Sequence, residues 1–274
     1  MSEPHEAKGG PPEPAYLGDS VYASLDAGSR RNGPLPLRGS AMSEVFLHDI
    51  RKGYPLDRLP PVDLIFADVP YGTGRKFADY PDTERGARAV IEEVVAGADS
   101  VLRPGGVIAV MSDHRLNYFV RARLEAHPQL RFFNEIIWSF SSGGAGKKSI
   151  PQKHATISVF SLEGGERTFN IVREPYARNY GTRPGFHSEG RMLTSVWSIP
   201  ILSTTDSRRV NYATEKPPAL LEQLLKVFSN EGDIVYDPCC GGGSTASAAR
   251  CLKRSFYGSD INPRAVDLTT QRFS

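Results

Sequence analysis

The sequence predicts an α/β fold built on a doubly wound, mostly parallel sheet, and three observations carry that prediction. From Val62 to Phe140, short apolar runs of β type alternate with stretches of helical spacing in the order β-α-β-α-β. A second strand–turn–helix–strand unit, "IVYDP", "CCGGGS", "TASAARCLK" and "SFYGSDINP", closes the chain. Two of the apolar runs end in an acid, at "ADVPY" and "YDPCCGGG". The carboxyl ends of the strands are where an open α/β sheet places its chemistry.

Taken in order, residues 1–40 are rich in Pro, Gly and Ser ("KGGPPEP", "GSRRNGPLPLRGS") and read as a flexible N-terminal extension. Residues 41–274 read as one domain. "EVFLHDI" is a short strand ending in Asp49, and "PVDLIFADVPYG" is a strand from Val62 to Ala67. "YGTGRKFADYPD" mixes glycine, aromatic and charged residues as a loop over a site would. In "TERGARAVIEEVVAGADSVLRPGG", Val90, Val94, Ala98 and Leu102 fall on one helical face, with Pro104-Gly105-Gly106 as the stop. "VIAVMSD" is a strand, "RLNYFVRARLEAH" a helix and "RFFNEIIWSF" a strand. The pattern then breaks, and residues 163–212 read as a loop-rich insertion; a loop this long in a compact domain is functional or disordered. Regularity returns at "TEKPPALLEQLLKVFSNEGD", where Leu220, Leu221, Leu224, Leu225 and Phe228 share a helix face behind Pro217-Pro218.

Bulk properties narrow the class. Hydrophobic content of 39% and charged content of 23% are those of a soluble globular chain. A net charge of +2 permits a nucleic-acid partner without arguing for one. The 3 cysteines, Cys239, Cys240 and Cys251, form neither a disulfide framework nor a zinc-ligand spacing, so buried free thiols in a reducing compartment are expected, and no metal. No apolar run approaches the ~20 residues that span a bilayer, and "MSEPHEAKGGPPEPAYLG" lacks a basic-then-apolar signal pattern. A cytoplasmic protein with no membrane partner is the expectation.

The closing unit places glycines where a backbone must approach a ligand, and Asp260 lies a little over ~20 residues beyond Asp237, as suits hydrogen bonding to ribose hydroxyls. It is neither G-x-G-x-x-G nor a P-loop. Alone, a glycine cluster can be a tight structural turn; the two flanking acids weigh against that. Asp68-Val69-Pro70-Tyr71 offers a different chemistry. A carboxylate and a neighbouring carbonyl can each accept a proton of an exocyclic amine, while a tyrosine ring stacks on the base. Holding that amine in line with an electrophilic methyl group is a catalytic strategy that needs little else. Alone, the four residues can equally be a strand-end turn.

Together, the two motifs resemble the N6-adenine/N4-cytosine amino-methyltransferases of DNA in their circularly permuted form, where a D-P-P-Y motif precedes the S-adenosylmethionine loop D-P-F-x-G-x-G-T. Here "DVPY" and "DPCCGGGS" stand in those places. "YGTGRKFADYPD", "NEIIWSFSSGGAGKKSIPQKHATISVFS" and "YATEKPPALLEQLLKVFSNEGD" resemble the family's intervening segments, so the likeness runs from about residue 45 to 274. It implies a Rossmann-like methyltransferase fold with S-adenosylmethionine as cofactor. It implies that Asp68 and the Val69 carbonyl, followed by Pro70, hold the target amine and that Tyr71 stacks on an extruded base. It implies that Asp237, Pro238, Gly241, Gly243 and Ser244 surround the methionine part of the cofactor. Asp260 would take the ribose hydroxyls, Asp49 would sit by the adenine, and Lys216 would lie at the pocket edge. An acid at position 68 is more typical of adenine N6 targets. Val69 departs from the family's proline and Cys239 from its phenylalanine, while Ser244 keeps the threonine hydroxyl.

The expected partner is double-stranded DNA. From Ile136 to Leu162 no acidic residue opposes Lys147, Lys148, Lys153 and His154, so phosphate contact is expected there. The insertion interleaves Arg167, Arg173, Arg178, Arg183, Arg191, Arg208 and Arg209 with aromatic residues and reads as the target-recognition element. Transfer to adenine N6 in a short DNA target is the leading expectation. N4-cytosine or RNA adenine methylation, a catalytically weak binding module, a homodimer and a companion restriction endonuclease stay open.

Overall fold

Eight of the strands join in one sheet, ordered so that the first strand lies beside the last. The computed structural model describes residues 43–74, 76–77, 80–141, 150–176, 183, 185–203, 205–207 and 209–274, all within one compact unit, Gly39–Ser274. The extension expected over 1–40 lies outside the described residues.

The chain runs β1 (Glu44–Leu47), β2 (Val62–Asp68), a two-residue hairpin β3 (Lys76–Phe77) and β4 (Tyr80–Pro81), then α1 (Glu84–Ala96), α2 (Ala98–Val101) and β5 (Leu102–Ser112). It continues through α3 (Asn117–Ala126), β6 (Leu130–Ser139), β7 (His154–Leu162), the short pair β8 (Arg173–Glu174) and β9 (Arg191–Met192), and β10 (Val196–Ser198). It ends with α4 (Pro218–Phe228), β11 (Ile234–Asp237), α5 (Ser244–Cys251), β12 (Ser255–Asp260) and α6 (Pro263–Phe273). The main sheet has the order β1-β12-β11-β2-β5-β7-β6-β10. Every neighbouring pair is parallel except those of β7, which runs antiparallel to both β5 and β6.

Alternation along β2 shows why the sheet is covered twice. Ile65 and Ala67 point into one apolar layer with Val90, Ile91 and Val94 of α1 and Val120 and Leu124 of α3. Leu64 and Phe66 point into the other, with Leu220, Leu221, Leu224 and Leu225 of α4 and Ala246, Ala248 and Ala249 of α5. A strand buried on both faces reads as a continuous apolar run, as "VDLIFA" does. The four leucines of α4 are fully buried, and each contributes about 1.5–3 kcal/mol by leaving water.

Three details depart from the sequence expectations. First, the helix expected to run to Pro104-Gly105-Gly106 ends at Ala96; after Gly97 and the single turn α2, Leu102 already pairs with Val62. The Pro-Gly-Gly run lies inside β5. Gly105, at φ +78°, packs so closely on the segment 165–166 that a Cβ would meet the Glu166 carbonyl oxygen at 2.2 Å, and the ladder shifts register between Val62 and Leu64. Second, β7 is antiparallel. The sequence between β6 and β7, residues 140–153, is glycine-rich and shows no apolar helical spacing, whereas a parallel return needs a crossover that is usually a helix. Third, the insertion contributes β10 to the sheet edge. There Trp197 is buried, its ring nitrogen donates to Thr194 O at 2.8 Å, and that of Trp138 donates to Ile199 O at 2.8 Å. No helix among the described residues is long and apolar enough to cross a membrane.

Candidate active site

The strands β1, β2, β11 and β12 point their carboxyl ends into one cleft. Asp49, Asp68, Val69, Pro70, Tyr71, Lys216, Asp237, Pro238, Gly241, Ser244 and Asp260 line it, so residues up to 211 positions apart in the chain and singled out separately in the sequence come together.

Asp68 is the last residue of β2. Its Oδ1 accepts from the Tyr71 hydroxyl at 3.0 Å, and its Oδ2 from the Lys216 ammonium, with which it forms an ion pair. Lys216 is itself buried, donates also to Thr214 O at 3.0 Å, and holds its Nζ 5.4 Å from the centre of the Tyr71 ring. Burial, and then the Asp68 charge, push the Tyr71 phenol well above its ordinary range, so it remains a donor. Val69 buries its side chain in the α1 layer and donates its N–H to Met111 O at 3.2 Å, extending the β2–β5 pairing by one bond. A proline could not make that bond. Among the described residues nothing donates to the Val69 carbonyl, which leaves it available to a ligand.

The loop after Tyr71 is pinned by Asp82, a residue the sequence reading did not single out. Its carboxylate is buried and accepts from Gly72 N at 2.8 Å, Thr73 N at 2.9 Å and Thr73 Oγ1 at 2.7 Å. Gly72 adopts φ +63°, and a Cβ there would lie 2.8 Å from Glu84 Cα.

Across the cleft, Asp237 ends β11. It accepts from Cys239 N at 3.0 Å and from the Thr245 hydroxyl at 2.6 Å. Burial pushes its carboxyl up to about 7, against the pull of those two hydrogen bonds. Asp260 ends β12 and accepts from Gly241 N and Asn262 N, both at 2.9 Å; burial raises it as well. No basic side chain among the described residues pairs with either acid. Burial likewise holds the Cys239 and Cys240 thiols well above their ordinary range, so both stay protonated.

The glycine loop makes room for a ligand and for the helix behind it. Gly243, at φ +79°, is not in the cleft wall: a Cβ there would lie 2.8 Å from Thr269 Cα, so it serves the packing of α5 on α6. Ser244 begins α5 and is nearly buried. Asp49 caps the turn Ile50–Lys52 just beyond β1 and accepts from Arg51 N at 3.1 Å and from Arg51 Nε and Nη2 at 2.8 Å each; the Arg51 guanidinium holds its carboxyl below the usual range.

The segment 209–216 closes the cleft, and most of it escaped the sequence reading. Tyr212 lies against the glycine loop, so that a Cβ on Gly242 would stand 2.9 Å from Tyr212 Cβ. The buried carboxylate of Glu215 accepts from Arg272 at 2.6 Å and from Val210 N at 3.2 Å. Asn211 and Thr214 hold φ of 55° and 67°, uncommon for residues with side chains and costly for a β-branched one. The resemblance of "YATEKPPALLEQLLKVFSNEGD" to the family's segment implied Lys216 at the pocket edge, but a contact with Asp68 across 148 positions leaves no local signal.

The expected nucleic-acid residues are less unified. Lys147 and Lys148 lie outside the described residues, as do Arg178 and Arg208. Lys153 donates to Ser141 O at 3.1 Å, and His154 opens β7 opposite Ser139; neither lines the cleft. Arg167 stacks 4.0 Å over Phe133, Arg173 donates to Gly190 O at 3.2 Å, Arg191 pairs with Glu174 at 2.6 Å and Arg209 approaches Glu215 at 3.8 Å. These four arginines have work inside the fold. Arg183 is exposed. Among the described residues no group of His, Cys, Asp and Glu could hold a metal ion.

The donor set fits a nucleoside-bearing cationic cofactor. Buried Asp237 and half-buried Asp260 keep free acceptor capacity, and no basic side chain among the described residues neutralises them. Comparison with known proteins agrees with that geometry. A family model described as DNA methylase matches residues 62–271. The chain is 27% identical over 213 residues to the type II methyltransferase M.HpaI of Haemophilus parainfluenzae, covering 77% of this chain and 68% of that one. It is 27% identical over 260 residues to the DNA adenine methyltransferase YhdJ of Escherichia coli K12, covering 88% and 86%. Among solved structures, M1.HpyAVI in complex with SAM superimposes with a TM-score of 0.61 at 19% identity, over 85% of this chain and 100% of that one. The PvuII cytosine-N4-specific DNA methyltransferase does so with a TM-score of 0.64 at 15% identity, over 85% and 86%.

Proposed function

The chain belongs to the DNA methylase family, and from that premise we propose that it transfers a methyl group from S-adenosylmethionine to the N6 amine of an adenine turned out of duplex DNA. The observation that carries the reading is the pairing of Asp68 and Tyr71 at the end of β2 with two acids that have no basic partner among the described residues, Asp237 and Asp260, across the same cleft. A 27%-identical relative named as a DNA adenine methyltransferase supports adenine as the target.

When bound, S-adenosylmethionine supplies an electrophilic methyl group. Asp260 has acceptor capacity left for ribose hydroxyls, and Asp237 gives a cationic amine a carboxylate that has no cation among the described residues. Asp68 and the Val69 carbonyl are two acceptors one residue apart, matched to the two protons of an exocyclic amine. Holding both protons turns the nitrogen lone pair toward the methyl donor and supports the positive charge that grows on nitrogen. The Tyr71 ring offers a stacking surface, offsetting the few kcal/mol, by rough estimate, that extrusion of a base costs. The amine is already neutral, so no general base is required at the outset; once methylated, the nitrogen would shed one proton through its hydrogen bond to Asp68 and on to water, with S-adenosylhomocysteine as the leaving group.

The test is to incubate the protein with labelled S-adenosylmethionine and unmethylated duplex DNA, digest to nucleosides and identify the labelled product. N6-methyldeoxyadenosine is the expected result. Labelled N4-methyldeoxycytidine would move the target to cytosine. No label, from a preparation that binds cofactor, would replace the reading with an RNA substrate or a binding module.

A further inference from the structure

We infer that Lys216 is a placeholder for the target amine: its ammonium group occupies the acceptor site on Asp68 while no base is present, and an entering base must displace it. The inference rests on the reading that Asp68 receives an amine.

The two surfaces that would grip a base are the Asp68 carboxylate and the Tyr71 ring. Lys216 touches both. Its Nζ pairs with Asp68 Oδ2 and stands 5.4 Å from the centre of the Tyr71 ring. It is thus a nitrogen bearing hydrogens, on the carboxylate and over the aromatic face, as the amine of a stacked base would be. The physical need for it is plain. Asp68 is four-fifths withdrawn from water, and a carboxylate so placed is costly unless paired. The acids at the ends of β11 and β12 differ: among the described residues Asp237 and Asp260 take only neutral donors.

The lysine is also built to leave. Its stem is flexible, and it keeps a second acceptor, Thr214 O at 3.0 Å, when it lets go of the acid. Thr214 itself sits at φ +67°, on the strained segment that closes the cleft. The chemical consequence is a filter. Only a base that brings N–H donors to Asp68 can replace what the ammonium supplies; a base without an amine at that edge leaves the carboxylate unpaired and gains nothing by entering.

The experiment uses the full-length protein without cofactor and two probes, deoxyadenosine and purine 2′-deoxyriboside, which lacks the amine. The carbon next to the Lys216 amine is followed by NMR, its signal assigned with Lys216→Arg. Deoxyadenosine should shift that signal in the direction produced by Asp68→Asn, and the amine-free nucleoside should not. Lys216→Met should bind deoxyadenosine about tenfold more tightly than the wild type, with the amine-free nucleoside bound equally by both. A signal that stays in place at saturation, or a Lys216→Met protein that binds deoxyadenosine no better, overturns the inference. If Lys216→Met does not fold, the signal of the wild-type protein decides alone. Displacement of Lys216 in a protein that transfers no methyl group would keep this inference and sink the proposed reaction; methyl transfer with Lys216 unmoved would do the reverse.

Discussion

The two walls of the cleft treat their carboxylates in opposite ways. At the end of β2, Asp68 has a cation of its own, Lys216, and a phenol hydroxyl. At the ends of β11 and β12, Asp237 and Asp260 are held by backbone N–H groups and one threonine hydroxyl, and burial raises both. The first wall is electrically complete before any ligand arrives. The second is not, and a cationic ligand would complete it. An acid that already has its partner can exchange it for a substrate group, whereas an acid kept waiting draws a ligand in. The contrast teaches that equal residues on one sheet edge can be given unequal tasks by what stands beside them.

The largest expected effect separates the walls outright. Asp68→Ala should lower methyl transfer by about a thousandfold or more, since it removes an acceptor for the reacting amine, while affinity for S-adenosylhomocysteine, read by calorimetry, stays within about threefold. Activity that survived this change would put the chemistry elsewhere.

The next tests the waiting wall by pH. The Asp237 carboxyl is raised from 3.8 to about 7 in the folded chain. Its contribution to stability is therefore fully present below pH 3.8 and is lost as pH rises through about 7. Binding of a cationic cofactor runs the other way, because it needs the charged acid. Affinity for S-adenosylmethionine should rise about tenfold between pH 5.5 and 7.5, with release of a proton seen as a dependence of the binding heat on the buffer. Affinity that is flat with pH would mean that Asp237 is already charged, and the contrast between the walls would lose its second half.

A smaller effect comes from Thr245→Val, which takes away the only hydroxyl on Asp237 among the described residues. It should lower stability by about 1–3 kcal/mol in a denaturant titration, because a buried acceptor loses a donor. The smallest concerns Val69. Val69→Pro deletes the hydrogen bond to Met111 O and should cost about 1 kcal/mol in thermal unfolding without raising activity. A marked gain in transfer would show instead that valine had weakened the site.

Much of this was legible in the sequence, and the rest was not for reasons of distance. "VDLIFADVPY" and "IVYDPCCGGGS" announce two apolar strands with an acid at each carboxyl end from local pattern alone, and Leu220, Leu221, Leu224, Leu225 and Phe228 share a buried helix face as their spacing requires. The resemblance of five ordered segments supplied roles that neither motif could establish by itself. The turn of β7 against its neighbours, the strand β10 and the pairing of Lys216 with Asp68 are decided by which segments meet in space. The spacing of Leu102 fits a helix, and its pairing with Val62 in the sheet overrides that preference. Asp82 and Thr245 carry no motif, and their partners are backbone groups and an acid up to ten positions away.

The sheet order has a consequence for how this protein comes into being. The strand that carries Asp68 is among the first described segments to leave the ribosome, and its neighbour β11 is among the last, with β12 and β1 closing the edge after that. Neighbours so far apart in the chain close slowly. A nascent chain stalled before residue 234 would hold an intact amine site beside an exposed sheet edge, and could not complete the cleft however well its first half had folded. Competence therefore arrives in a single late step, when the segment carrying β11 and β12 slots between segments made long before it.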